Sequence, residues 1–386
     1  MAPLPPARSL SPTASAVPGS APLRVALLTS AKSWRGSGVS LSKIATGLAG
    51  RGHHPLLLAG APAVRAAFEQ LQLPAMHAPT ANTGLREARE LRRILQGFRP
   101  DVVLVDKPRD LRLAAMATIG LAIRILYRYN IGVRDPGPGI GARLVFSRVS
   151  ACIFQAEQVR RGALARDPWL AGAPGYVIPN GYDTDVFRPD ASAGVRFRAR
   201  NGLGEESFLL LSAAALETEK GHLVALDALE RIPASLRARV IYLLCGVGRR
   251  ADDLRVAAQR AGVKTRFLGF LGTDELASAM NAADLILHPS LEDIFPNAVG
   301  EAMACGRPVV ATDVGGIPEL VGSDGSAGAL VGAADPAALA TAIVALLADA
   351  SIRARLGASA RRRIEAGFTI QQMVSAYENV LRPGHP

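Results

Sequence analysis

The chain has 386 residues, 49% of them hydrophobic and 20% charged, which excludes a disordered, collagen-like or disulfide-scaffold protein. Its length fits two domains, each able to bury a full core. The formal charge of +11 is uneven: residues 1–190 carry 24 Lys/Arg against 12 Asp/Glu, and residues 191–386 carry 20 against 21. A cationic first half suits an anionic partner, and nucleic acid, anionic lipid and a phosphorylated substrate all qualify. A merely solvated excess of arginine is the plain alternative. Cys152, Cys245 and Cys305 are scattered without metal-ligand spacing and fit a reducing, cytoplasmic compartment. The longest apolar runs, such as 113–123 and 337–348, fall short of the roughly 18–20 residues that span a bilayer.

Residues 1–22 hold six prolines among Ala and Ser and read as a disordered leader without the apolar stretch of a secretory signal. A buried strand is predicted over 24–30, then a glycine loop with Gly36 and Gly38, a helix over 39–51 and a strand over 55–60. His53 and His54, at the helix end, read as caps for carbonyls. The period repeats with a helix over 85–98, a strand over 101–105, a helix over 111–121 and a strand over 124–129. Residues 188–206 are charged and weakly periodic and read as an interdomain connection. A second set follows, with strands over 208–213, 240–245, 265–268, 285–288 and 309–312. Helices are expected between them over 221–229, 251–261, 273–281 and 298–304, and two more, 336–347 and 369–381, close the chain. Strands alternating with helices predict an α/β fold of two doubly wound parallel sheets, Rossmann-like domains in tandem. The divisions expected are a leader over 1–22, domains over 23–187 and 188–366, and a terminal helical segment over 367–386.

Chemistry concentrates in 288–319, HPSLEDIFPNAVGEAMACGRPVVATDVGGIPE. A strand ends at His288, a loop carries Glu292, Asp293, Phe295, Pro296 and Asn297, and a helix beginning near Ala298 and Val299 places Glu301 in its first turn. Unpaired amides at a helix start suit a phosphate, and open parallel sheets bind ligands at such strand ends. Carboxylates at 293 and 301 flank that position and can accept sugar or ribose hydroxyls. The plain alternative is a turn aspartate and a glutamate that favours the helix dipole.

Asp293 and Glu301, followed by Ala302–Val310 and Gly315-Gly316-Ile317-Pro318-Glu319, resemble the family-four retaining glycosyltransferases of GT-B fold. The glycine loop at Gly36–Gly38, Ile178-Pro179-Asn180-Gly181, Glu219-Lys220-Gly221-His222, Phe267-Leu268-Gly269 and His288-Pro289-Ser290-Leu291 agree, in order, over residues 23–382. The resemblance implies two domains facing across a cleft, the first for the acceptor, the second for the donor, with the last helix returning to the first. Glu301 then resembles the acid that holds the donor ribose, and Lys220 the lysine that neutralises its diphosphate. Asp293 stands where the family has a glutamate contacting the transferred sugar, and is one methylene shorter. The loop Phe295–Val299 and Gly36 and Gly38 complete the implied donor site. The chain departs from the pattern at Ala215, where the family has an arginine, at Tyr129 and Asn130, where it often has a His-Asp pair, and at Asp106, where another histidine is common. Arg35, Lys43 and Arg109 are candidate substitutes for the missing cation.

The implied activity is retaining transfer of a sugar from a nucleotide diphosphate sugar, UDP- or GDP-linked, to a hydroxyl acceptor in envelope polysaccharide, lipopolysaccharide or glycolipid synthesis. No cofactor is expected, and no metal, because no Asp-x-Asp pair is placed to bridge a diphosphate. The alternatives are a nucleotide-sugar epimerase of the same architecture and a non-catalytic binding protein. A nucleic-acid binder has only charge in its favour. The expected location is the cytoplasm, with peripheral contact at the inner face of the membrane. The helix over 85–98, with Arg86, Arg89, Arg92 and Arg93, is the candidate contact with anionic lipid, or else a solvated face.

Overall fold

The computed structural model describes residues 21–32, 34, 36–130 and 144–382. The leader expected over 1–22 lies almost entirely outside these residues, as does Arg35. In chain order the first elements are β1 (Arg24–Thr29), α1 (Gly36–Gly50), β2 (His54–Ala59), α2 (Pro62–Gln70), β3 (Ala75–His77), α3 (Leu85–Phe98), β4 (Val102–Val105), α4 (Pro108–Ala117), β5 (Arg124–Arg128), β6 (Val149–Phe154), α5 (Glu157–Arg166) and β7 (Gly175–Val177). After them come α6 (Ala191–Arg200), β8 (Phe208–Ala213), α7 (His222–Arg231), β9 (Val240–Cys245), α8 (Ala251–Arg260), β10 (Lys264–Gly269), α9 (Thr273–Ala282), β11 (Leu285–His288), α10 (Asn297–Ala304), β12 (Val309–Thr312), β13 (Ala329–Val331), α11 (Pro336–Ala348), α12 (Ala350–Gly367) and α13 (Ile370–Leu381).

The chain divides into two compact units, one of residues up to Gly181 together with those from Ile370, the other Tyr182–Thr369. In the first, seven strands pair in the order β3-β2-β1-β4-β5-β6-β7, all parallel. The order reverses between β1 and β4, so the loops at their carboxyl ends part and leave a crevice. β1 and β4 are runs of Val and Leu because helices cover both faces of the sheet, and every residue of β4 is buried. α13 packs on α1 within this unit, burying Met373, Val374, Tyr377, Val380 and Leu381 in the core. It is latched by Glu378, which pairs with Arg51 at 3.0 Å, while Arg128 Nε donates to the Tyr377 hydroxyl at 3.1 Å.

The second unit pairs six strands in the order β10-β9-β8-β11-β12-β13, again all parallel. The order reverses between β8 and β11. A core of Leu210, Leu226, Leu229, Tyr242, Leu244, Leu285, Leu287, Val310 and Ile343 lies under α7, α8 and α11.

Several sequence expectations need correction. The stretch 188–206 is not a bare connection: α6 lies within it, capped where Asp190 accepts a hydrogen bond from Ala193 N at 2.8 Å, and packs on α9 inside the second unit. The changeovers fall at 181/182 and 369/370 rather than 187/188 and 366/367. The helix expected over 111–121 starts earlier, at Pro108, whose fixed φ suits a first helical position. It stops before Thr118, whose hydroxyl bonds back to Ala114 O at 2.9 Å. Three helices, not two, close the chain, because Asp349 accepts from Ser351 N and Ile352 N and starts α12. β6 and α5 had no counterpart in the reading of the sequence. His53 does not cap a carbonyl: its Nδ1 accepts from Leu23 N at 3.0 Å and its Nε2 lies 3.2 Å from Glu378.

Candidate functional site

The carboxyl edge of the second sheet gathers the charged residues singled out in the sequence. β8 ends at Ala213 and leads into the turn Glu217–Lys220, closed by Lys220 N donating to Glu217 O at 3.2 Å. The next residue, Gly221, has φ +66° and is packed so closely that a Cβ would overlap the Pro289 carbonyl oxygen. Only glycine combines that conformation with that approach. The contact binds the Lys220 segment to the loop after β11, where Leu291 N donates to Glu219 O at 2.8 Å.

Lys220 Nζ lies 2.7 Å from Asp293 Oδ2. His288 Nε2, at the end of β11, lies 3.0 Å from the same oxygen, and the Ser290 hydroxyl is within 3.4 Å of it. Asp293 Oδ1 accepts from Ile294 N at 2.9 Å. Burial by itself would push the Asp293 carboxyl up, but the hydrogen bond to His288 and the charge of Lys220 outweigh it and hold the group well below the usual carboxylate range. Asp293 is therefore an anion at any working pH, suited to accepting ligand hydroxyls and unsuited to donating a proton. Thr312, ending β12, donates its hydroxyl to Ser290 O at 2.6 Å and fixes the floor of the cluster. Gly315, at φ +55°, leaves no room for a Cβ beside the Asp293 carbonyl, and Gly316 N donates to Ile294 O at 2.7 Å.

His222 opens α7, buried, with Nε2 3.1 Å from Ala215 O. Burial pulls it down to about 4, against the hydrogen bond to Ala215, with His288 and Lys220 adding to the fall. It is neutral at pH 7, so the proton on Nε2 is donated to the carbonyl. Burial pushes all three cysteine thiols up to about 12, which removes them as nucleophiles.

Glu301 is the fifth residue of α10 and so opens its second turn rather than lying in the first; it is 7% exposed. The loop before it is anchored by Phe295, 4% exposed and 5.9 Å from the Phe368 ring, and by Pro296, whose carbonyl accepts from Tyr182 OH at 3.2 Å. Val299 is buried, Ala298 half-buried, and Asn297 Oδ1 is buried without a hydrogen-bond partner among the described residues. Tyr182, fully buried under α10, was missed in the sequence. Its signal is Gly300, a helix-interior glycine at which any Cβ would overlap the Tyr182 ring.

Lys220, Asp293, Glu301 and the 295–299 loop thus share the second unit, while Gly36 and Gly38 open α1 in the first. In that unit Ser37 donates its hydroxyl to the buried Asp106, and Ser30 N donates to Asp110 at 2.8 Å. Arg109 is occupied by the Thr80 and Ala81 carbonyls at 2.8 and 2.7 Å. The Tyr129 hydroxyl accepts from Arg166. Among the described residues no group of three or more His, Cys, Asp or Glu is placed to hold a metal, and no single helix is long and apolar enough to cross a membrane.

Residues 196–363 match the family model described as glycosyl transferases group 1, and residues 34–186 the model for glycosyltransferase family 4. The chain is 39% identical over 192 residues to a D-inositol 3-phosphate glycosyltransferase of Xylanimonas cellulosilytica, covering 48% of this chain and 46% of that one. It is 34% identical over 219 residues to a phosphatidyl-myo-inositol mannosyltransferase of Mycobacterium leprae, covering 55% and 56%. It spans about half the length of the curated relatives it matches. The structure of the Anabaena protein HepE in complex with UDP and glucose superposes with a TM-score of 0.80 at 22% identity, covering 93% of this chain and 99% of that one. The lipopolysaccharide glycosyltransferase WaaG superposes at 0.66 with 16% identity, covering 93% of this chain and 100% of that one.

Proposed function

We propose that this chain, which belongs to the group 1, family 4-like glycosyltransferases of GT-B fold, transfers a sugar from a nucleotide diphosphate sugar to a hydroxyl acceptor with retention of anomeric configuration. The observation that carries the reading is the Lys220–Asp293 pair, 2.7 Å apart at the carboxyl edge of a parallel sheet. An anion there accepts hydroxyls of the transferred sugar, and a cation beside it offsets charge on the departing phosphate. As the bond from the anomeric carbon to the phosphate oxygen breaks, the acceptor oxygen bonds that carbon on the same face. The acceptor proton passes to the departing phosphate. No protein base is required, and acceleration comes from positioning and charge stabilisation. Glu301 is assigned to the donor ribose and the Phe295–Val299 loop to the wall of the same subsite.

UDP- and GDP-linked donors are the first to test, and inositol-bearing acceptors follow from the curated relatives. The site of action we assign is the cytoplasmic membrane face. Supporting it are the first half's charge and α3, whose Arg86, Arg89 and Arg93 are exposed beside Leu85 at 69% exposure. Arg92 is spent on the Ala117 and Ile119 carbonyls. The experiment is a donor panel assayed for free nucleotide with and without acceptor, followed by NMR of the product anomer. Acceptor-dependent release with retention is expected. No release from any donor, or an inverted product, would overturn the reading.

A further inference from the structure

We propose that Arg249 grips the donor diphosphate through its terminal guanidinium nitrogens, a role that rests on the nucleotide-sugar reading of this site. A nucleoside diphosphate leaving group carries about two negative charges that a site of this kind must stabilise. Lys220 shares its charge with Asp293, 2.7 Å away, and so offsets only part of the diphosphate's. His222, neutral at pH 7, adds none. More positive charge is needed at this sheet edge.

Arg249 follows β9, the neighbour of β8, and the loops after the two strands are knitted together. Ala214 N donates to Cys245 O at 3.0 Å, Leu216 N to Val247 O at 3.1 Å, and Arg250 N to Leu216 O at 2.9 Å. Arg249 Nε lies 3.2 Å from the Oε2 of Glu217, a carboxylate only 7% exposed. Glu217 opens the same turn that Lys220 closes, so the two cations are held at opposite ends of one four-residue turn, whose end Cα atoms lie within about 7 Å. The tether uses Nε alone. Nη1 and Nη2 have no partner among the described residues, and the side chain is 90% exposed. That leaves the terminal fork, the geometry that binds phosphate oxygens in pairs, anchored at its base and open at its tip. Arg250 is tethered in the same way, its Nε 3.1 Å from Asp253, but to a carboxylate on α8 rather than to the turn that carries Lys220.

The test is titration calorimetry of the full chain with UDP, GDP and uridine, on the wild type, Arg249→Ala and Arg249→Lys. Arg249→Ala also takes the guanidinium from the buried Glu217 carboxylate, so each variant's melting temperature is measured alongside, and uridine binding reports whether the site keeps its shape. Arg249→Ala should weaken the diphosphate that the wild type binds by roughly 10- to 100-fold, as expected for loss of a charged hydrogen-bond pair, and leave uridine binding unchanged. Arg249→Lys, which keeps the charge but loses the fork, should recover only part of the loss. Unchanged diphosphate affinity in Arg249→Ala, an equal loss for uridine, or full recovery with lysine would each overturn the assignment. A wild type that binds neither diphosphate would instead overturn the nucleotide-sugar reading itself, and Arg249 with it.

Discussion

Replacing Asp110 by asparagine should stabilise the protein at neutral and alkaline pH and leave it nearly unchanged in acid. Asp110 lies in the first turn of α4, 1% exposed, and accepts Ser30 N at 2.8 Å. Burial, and then the neighbouring Asp106, push its carboxyl up from 3.8 to about 7, against the Ser30 hydrogen bonds and Lys107. At 1.36 kcal/mol per tenfold change in proton affinity, the rise from 3.8 to about 7 is worth about 4 kcal/mol. The sign follows from proton uptake. Below about pH 4 the carboxyl is protonated in both folded and unfolded chains and there is no penalty. As pH rises toward 7 the unfolded chain ionises first, and folded stability falls. Above 7 the penalty is constant. Asparagine never ionises and keeps a carbonyl oxygen for Ser30 N, so Asp110→Asn escapes the penalty. Both tryptophans, Trp34 and Trp169, lie in the first unit, so their fluorescence reports on it during urea unfolding. The midpoint difference between variant and wild type should be small at pH 4 and grow through pH 6 to a plateau near pH 8. Equal pH dependence in the two proteins would refute the argument.

Lys220→Ala and Asp293→Ala should each lower turnover at least about tenfold, the scale of a lost charged hydrogen bond, and wild-type rates in both purified variants would remove them from the site. Gly221→Ala should cost both stability and activity, since the new methyl meets the Pro289 carbonyl at positive φ; an unaltered melting temperature would show that the turn relaxes freely. Neutralising Arg86, Arg89 and Arg93 together should abolish co-sedimentation with anionic vesicles at low salt and leave soluble-acceptor activity intact. Equal binding of the wild type to neutral and anionic vesicles would leave α3 a solvated face.

The tandem strand–helix alternation was legible because buried parallel strands must be runs of Val, Ile and Leu, as in VVLV at β4 and VIYLLC at β9. The loop of Asp293 and Glu301 was legible because its acids, proline and glycines lie within one short segment. β6 was not, because VSACIF carries a serine and small residues that only its neighbours β5 and β7 make a strand. α6 was hidden because its turns of Ala, Gly and Arg have little apolar rhythm, and contact with α9 supplies what periodicity does not. The acids of 288–319 named Asp293 and the family resemblance named Lys220, but their 2.7 Å pairing depends on Gly221 and Gly315 bringing backbone segments from different loops into contact. Arg249 was silent in the sequence for the same reason. Its neighbours there are Gly248 and Arg250, whereas its partner Glu217 is 32 residues away and is brought to it by the pairing of β8 with β9. Hydrophobic periodicity is a local property and can be read along the chain; the balance of charges at a site depends on through-space distance, which the sheet order sets.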